Sequence, residues 1–151
     1  MSDGFKGRCL CGAVRFESTA NPQLVGHCHC LDCRKLSGTG HCTNIMIPED
    51  AFTITGEVKF YESFADSGNL VSRGFCPNCG SAIYSTNSGM PGVVYPRASS
   101  LDDPNILEPQ VVVYASRALT WDPVNPALIG FPEMPPSNSD KEISVASTSE
   151  T

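Results

Sequence analysis

Cysteine is the residue most able to do chemistry in this chain, and its eight copies are grouped: Cys9 and Cys11, then Cys28, Cys30 and Cys33, then Cys42 alone, then Cys76 and Cys79. Zinc takes four ligands at the corners of a tetrahedron, and a turn of two or three residues sets two sulfurs at neighbouring corners. Cys9 with Cys11 and Cys76 with Cys79 are therefore two halves of one closed, structural site, with free thiols or a disulfide as the alternative. Cys28, Cys30 and Cys33 offer three sulfurs and no obvious fourth. A zinc with three protein ligands keeps a position open for a substrate, and thiolate ligands suit exchange with a substrate thiol. His27, His29 or Cys42 would instead close that tetrahedron and make a second structural site.

Around the trio stand residues with two readings each. His29 lies between two of the expected ligands, so in an extended segment its ring points away from theirs, either to an acid–base or supporting role or to solvent. Arg34 and Lys35 follow Cys33 directly. Either they offset thiolate charge and meet a substrate carboxylate, or they are ordinary surface cations. Arg73 carries the same pair of readings. Lone Cys42 reads as a buried apolar thiol or a residue at the rim of a pocket.

The elements that must hold these groups are mainly β. Ala13 to Phe16 reads as a strand directly after the first pair, and Leu70 to Phe75 and Ala82 to Tyr84 as strands flanking the turn Cys76–Gly80. Ile45 to Ile47, Ala51 to Ile54, Gly92 to Tyr95 and Gln110 to Tyr114 are further strands, and Leu101 to Pro104 is a loop. Leu31 to Ser37 reads as one helical turn. From Trp121 onward the prolines prevent regular pairing, while Trp121, Leu128, Ile129 and Phe131 give that arm apolar surface to lay across the domain. One domain is expected over residues 1 to 136, followed by a disordered Ser- and acid-rich tail over 137 to 151.

Charge and hydropathy narrow the partners. The formal net charge is −6, so strong attraction to nucleic acid or an anionic membrane is not expected. No run approaches the roughly 18 apolar residues of a membrane span, and the opening MSDGFKGRCLCGAVRF lacks the apolar core of an export signal. A cytoplasmic setting is the expectation. It agrees with reduced thiols, and it makes metal a better explanation of the cysteines than a disulfide framework. Nothing in the sequence separates monomer from homodimer.

In order and spacing, GRCLCGAVRF, CHCLDCRKLSG and FCPNCGSAIY resemble the three cysteine motifs of the glutathione-dependent formaldehyde-activating family. Leu101 to Pro104, Ser116 to Trp121 and Ile129 to Pro135 look like later segments of that family, so the resemblance spans about residues 5 to 135. It implies a beta-tent of small antiparallel sheets clipped by a structural zinc on Cys9, Cys11, Cys76 and Cys79. It also implies a catalytic zinc on Cys28, Cys30 and Cys33, two zinc ions per chain in all. The implied activity is that of a carbon–sulfur lyase of the S-(hydroxymethyl)glutathione synthase type, with glutathione as small-molecule partner. VYPRASS over Val94 to Ser100 and Val111 to Tyr114 depart from the family's usual glycine and histidine. A pocket for another carbonyl, imine or thioether, worked by a different lyase or a hydrolase, is the alternative. A noncatalytic zinc scaffold, as in relatives resembling centromere protein V, is the reading from another class.

Overall fold

A computed structural model describes residues 4–135. The tail expected over 137 to 151 lies outside the described residues. The chain divides into two compact units: one runs through Gln23 and resumes over Ile45–Leu107, and the other comprises Leu24–Asn44 and the chain from Glu108 onward.

The first unit opens with β1 (Phe5–Arg8) and β2 (Arg15–Ser18), an antiparallel pair in which Gly7 faces Phe16, and β5 (Phe52–Thr55) adds to the other side of β2. Alternation fixes the register here. Phe5 and Phe16 turn inward while Lys6, Arg8, Arg15 and Glu17 face water, so slipping by one residue would expose every apolar side chain. A second sheet carries the hydrogen-bonded order β4 (Cys42–Pro48), β9 (Val93–Pro96), β8 (Ala82–Asn87), β7 (Leu70–Phe75), β6 (Lys59–Phe64). Its β7–β8 register shifts between Gly74 and Phe75, directly before Cys76. Such a bulge re-aims the strand end that delivers a sulfur. Val14, Ile45, Ile47, Ile83 and Val94 form the dry centre of this unit, and Cys9 and Cys76 belong to the same cluster.

In the second unit the order is β11 (Ile129–Gly130), β10 (Val111–Val113), β3 (Leu24–Cys28), then the start of β4. β10 runs parallel to both β3 and β11. The fold is thus mainly β, but mixed, where the resemblance implies antiparallel sheets. Helix α1 (Leu31–Ser37) follows β3. The Cys30 side chain accepts from the Cys33 N–H at its start, and Gly38, at φ 76°, closes it with an N–H to the Arg34 carbonyl. The proline-rich arm does pair: Ile129 and Phe131 donate to the Gln110 and Val112 carbonyls, at spacings the prolines leave free. Trp121, expected against the domain, is 66% exposed.

Candidate metal centres

Two cysteine turns of the same design face one another in the first unit. The loop between β1 and β2 returns a Gly12 N–H to the Cys9 carbonyl, and the loop between β7 and β8 returns a Gly80 N–H to the Cys76 carbonyl, with both glycines at φ 81°. A side chain at either glycine would be strained, which is why each pair is followed by glycine. Backbone N–H groups then point at the sulfurs: Val14 donates to Cys9 Sγ at 3.3 Å, and Asn78 and Cys79 donate to Cys76 Sγ at 3.4 Å. The Leu10 N–H reaches Ser81 Oγ at 3.0 Å and ties one turn to the other.

All four sulfurs lie within 4.8 Å of one another. Cys9 and Cys11 are 3.6 Å apart and Cys11 and Cys76 are 3.8 Å apart. A disulfide would need about 2.05 Å. A zinc tetrahedron with sulfurs at about 2.3 Å has edges of about 3.8 Å. The donor set and its spacing thus fit zinc. Burial pushes the Cys9 thiol up, but hydrogen bonds from the Val14 N–H and from Cys11 and Cys76 outweigh it and favour the thiolate. The Ser81 hydroxyl, 3.2 Å from Cys79, draws that thiol down to about 5.

The second unit gathers Cys28, from the end of β3, with Cys30 and Cys33, from the first turn of α1. Their sulfurs are likewise within 4.8 Å of one another. Cys28 and Cys33 are buried and Cys30 is half-buried. Hydrogen bonds from the Cys28 and Cys33 thiols pull Cys30 far down, while the same contacts, with burial, push Cys28 and Cys33 up. Three neighbouring thiolates repel one another, and these contacts favour ionisation of Cys30 over its two neighbours. A divalent cation among them would remove that repulsion, which is how this trio fits a metal.

Of the three groups considered for the fourth corner, Cys42 shares a buried cluster with two of the sulfurs. It packs with Cys28, Cys33 and Tyr114, and the Asn44 amide stands 3.5 Å from its sulfur. His27 Nδ1 is instead 2.8 Å from Thr43 Oγ1. His29 Nδ1 groups with His41 and Asp122 instead of with the sulfurs, as alternation along an extended segment requires. Burial, then the neighbouring His41, lowers the basicity of His29 against the opposing pull of Asp122. Burial, His41 and His29 act the same way on His27.

Arg34 is half-buried and Lys35 exposed on α1. Arg73 is buried in the first unit, on β7, where its Nη1 donates to Ser63 Oγ at 3.0 Å. Tyr114 escaped sequence reading. It is the sole non-glycine described at positive φ, 55°, and it packs on Cys28, Cys33 and Cys42 with the Arg117 guanidinium 5.0 Å from its ring centre. A left-handed tyrosine costs energy and persists only where its surroundings hold it. His41 and Asp122 also went unread, since 81 residues separate them and nothing local links them.

Residues 4–117 match the model of the family described as glutathione-dependent formaldehyde-activating enzyme. A Halomonas elongata protein whose name places it in that family is 33% identical over 102 residues, a stretch that covers 64% of this chain and 65% of that protein. A crystal structure of a Rhodobacter sphaeroides protein superposes with a TM-score of 0.54 at 18% identity, covering 69% of this chain and 96% of the other. That likeness concerns the fold.

Proposed function

Because the chain belongs to the glutathione-dependent formaldehyde-activating enzyme family, we propose that it makes or breaks a carbon–sulfur bond in a glutathione adduct, or in an adduct of a related small electrophile, at a zinc held by Cys28, Cys30 and Cys33. A second zinc, on Cys9, Cys11, Cys76 and Cys79, holds the fold. The observation that carries this reading is the convergence of exactly three sulfurs, at the junction of β3 and α1, into one ligand group separate from the four-sulfur group.

A zinc on three thiolates supplies a thiophilic centre with a position for a substrate sulfur. The chain's own residues do the rest. Cys30 is fixed by the Cys33 N–H at 3.3 Å, so its sulfur cannot swing with the helix end. Tyr114 packs in the same buried cluster as Cys28 and Cys33. Arg34 and Lys35, next in the chain, supply positive charge for the carboxylates of a tripeptide thiol. In the forward direction the sulfur attacks the carbonyl carbon and a C–S bond forms. The C=O π pair goes to oxygen, which takes up the proton the thiol gives up, so the product is a hydroxymethyl thioether and no oxidant is needed.

The rival reading rests on Cys42. Cys42 packs in one buried cluster with Cys28 and Cys33, and a fourth thiolate would close the site and leave a scaffold without turnover. Zinc-loaded protein, mixed with glutathione and formaldehyde and followed by NMR exchange spectroscopy, separates the two. Turnover above the uncatalysed rate that is lost in Cys30→Ala and kept in Cys42→Ala supports the open site. Turnover equal to the uncatalysed rate in wild type, with sulfur-only four-coordinate zinc at both sites by X-ray absorption, supports the scaffold.

A further inference from the structure

All three histidines of the chain meet in the second unit. The ring centres of His27 and His29 stand 4.6 and 4.7 Å from that of His41. His29 is 2% exposed, and its Nδ1 is buried without a hydrogen-bond partner among the described residues. Buried ring nitrogens are rarely left so. Facing it is Asp122, whose Oδ2 lies 3.8 Å from His29 Nδ1 and 2.5 Å from His41 Nδ1. The three donor atoms lie within 4.8 Å of one another. Space for the carboxylate comes from Gly40, where a Cβ would sit 2.2 Å from Asp122 Oδ2.

We propose that His29, His41 and Asp122 bind a divalent transition-metal ion, through Nδ1 of each imidazole and Oδ2 of the carboxylate, as a site chemically distinct from both cysteine groups. Two imidazoles and one carboxylate are a donor set that zinc and its neighbours in the first transition row accept at about 2.0–2.2 Å, which puts the donors about 3–3.5 Å apart. The 3.8 Å His29–Asp122 spacing is close to that. The ion would replace the proton of the His41–Asp122 hydrogen bond, parting those two atoms from 2.5 Å to the wider donor spacing, and His29 Nδ1 would gain its partner. His27 stays outside the set, with Nδ1 engaged by Thr43. Asp122 also lies beyond residues 4–117, the stretch that matches the family model, so one of the three ligands is a feature of this chain outside that match. With three protein ligands, the ion keeps room for water or a small anion.

Cobalt(II) is the probe. Full-length protein with its cysteine groups loaded with zinc is titrated with cobalt(II), and bound cobalt, released zinc and the visible and near-ultraviolet spectrum are followed together. The expected result is one further equivalent of cobalt per chain, with ligand-field bands, no thiolate-to-cobalt charge transfer and no zinc released. His41→Ala and Asp122→Asn should each weaken that binding by more than about 100-fold, beyond the usual cost of losing a supporting residue. Their zinc content and thermal melt should stay as in wild type. Gly40→Ala, which pushes the carboxylate aside, should weaken it as well. Cobalt uptake only with zinc release and a thiolate charge-transfer band, or undiminished uptake in both ligand variants, overturns the proposal. The charge-transfer band reports the cysteine groups separately, so a failure of the catalytic reading is not mistaken for a failure here.

Discussion

A sulfur in this chain is judged by what surrounds it. Cys76 has no exposed surface, lies in the main apolar cluster and accepts two backbone N–H groups, whereas Cys30 is half-buried at a helix start. Cys76→Ala should therefore remove the structural metal together with the cooperative thermal transition, and most of the protein should be recovered insoluble. Cys30→Ala should lose one zinc per chain and at least about 100-fold in turnover, within the range metal-assisted catalysis supplies, while melting close to wild type. Zinc analysis beside a thermal melt checks both, and equal collapse in the two variants would argue for two structural sites. These groups were legible because metal chemistry writes itself locally: C-x-C-G and C-x-x-C-G state both the ligands and the turn. His41 and Asp122 were not legible, since a residue's partner 81 positions away is set by packing, of which the sequence near either residue carries no trace. Tyr114 escaped for a related reason, because nothing in QVVVYAS announces a left-handed backbone.

Strand by strand, the reading from periodicity held where one face is buried and the other wet. The segments at Ala82, Val93 and Val111 lie where alternation and valine content put them, and α1 spans Leu31–Ser37 as expected. β6 was missed because five of its six residues are exposed and none is buried, so no buried face marks it. β3 was missed because its end, Gly26 to Cys28, is read for ligands before it is read for structure, although Val25 is buried as a strand residue should be. Burial also ranks the elements by what they contribute. Ile83, second residue of β8, has no exposed surface, and Ile83→Ala should lower unfolding free energy by about 2–5 kcal/mol through lost transfer energy and the cavity left behind. Phe64, at the end of β6, is 74% exposed, and Phe64→Ser should change it by no more than about 0.5 kcal/mol. Urea unfolding monitored by circular dichroism measures both. A Phe64 variant as damaging as the Ile83 variant would mean that β6 is covered in solution.

At the scale of the molecule, charge and metal decide behaviour. With a formal net charge of −6, the chain repels the phosphate backbone at long range. It should pass an immobilised-DNA column at physiological ionic strength, and salt-sensitive retention would contradict this. No described helix is long and apolar enough to cross a membrane. Metal removal probes the division of labour most directly. The four-cysteine group is built into the main apolar cluster through Cys9 and Cys76, so an ion bound there would be coupled to folding of the first unit, as in domains where metal affinity is folding free energy. The trio sits in a small cluster with Cys42 and Tyr114, where fewer apolar contacts depend on it. A chelator of graded strength should therefore take zinc in two stages. The first ion should leave with carbon–sulfur bond turnover lost and far-ultraviolet circular dichroism unchanged, and the second should leave only as the β signal collapses. Zinc release read with a chromogenic indicator, in the same cuvette as the dichroism, gives the order. If both ions leave together with the fold, the second group is as structural as the first, and the open-site reading goes with it. If the first ion leaves and turnover persists, the reaction belongs elsewhere on the chain.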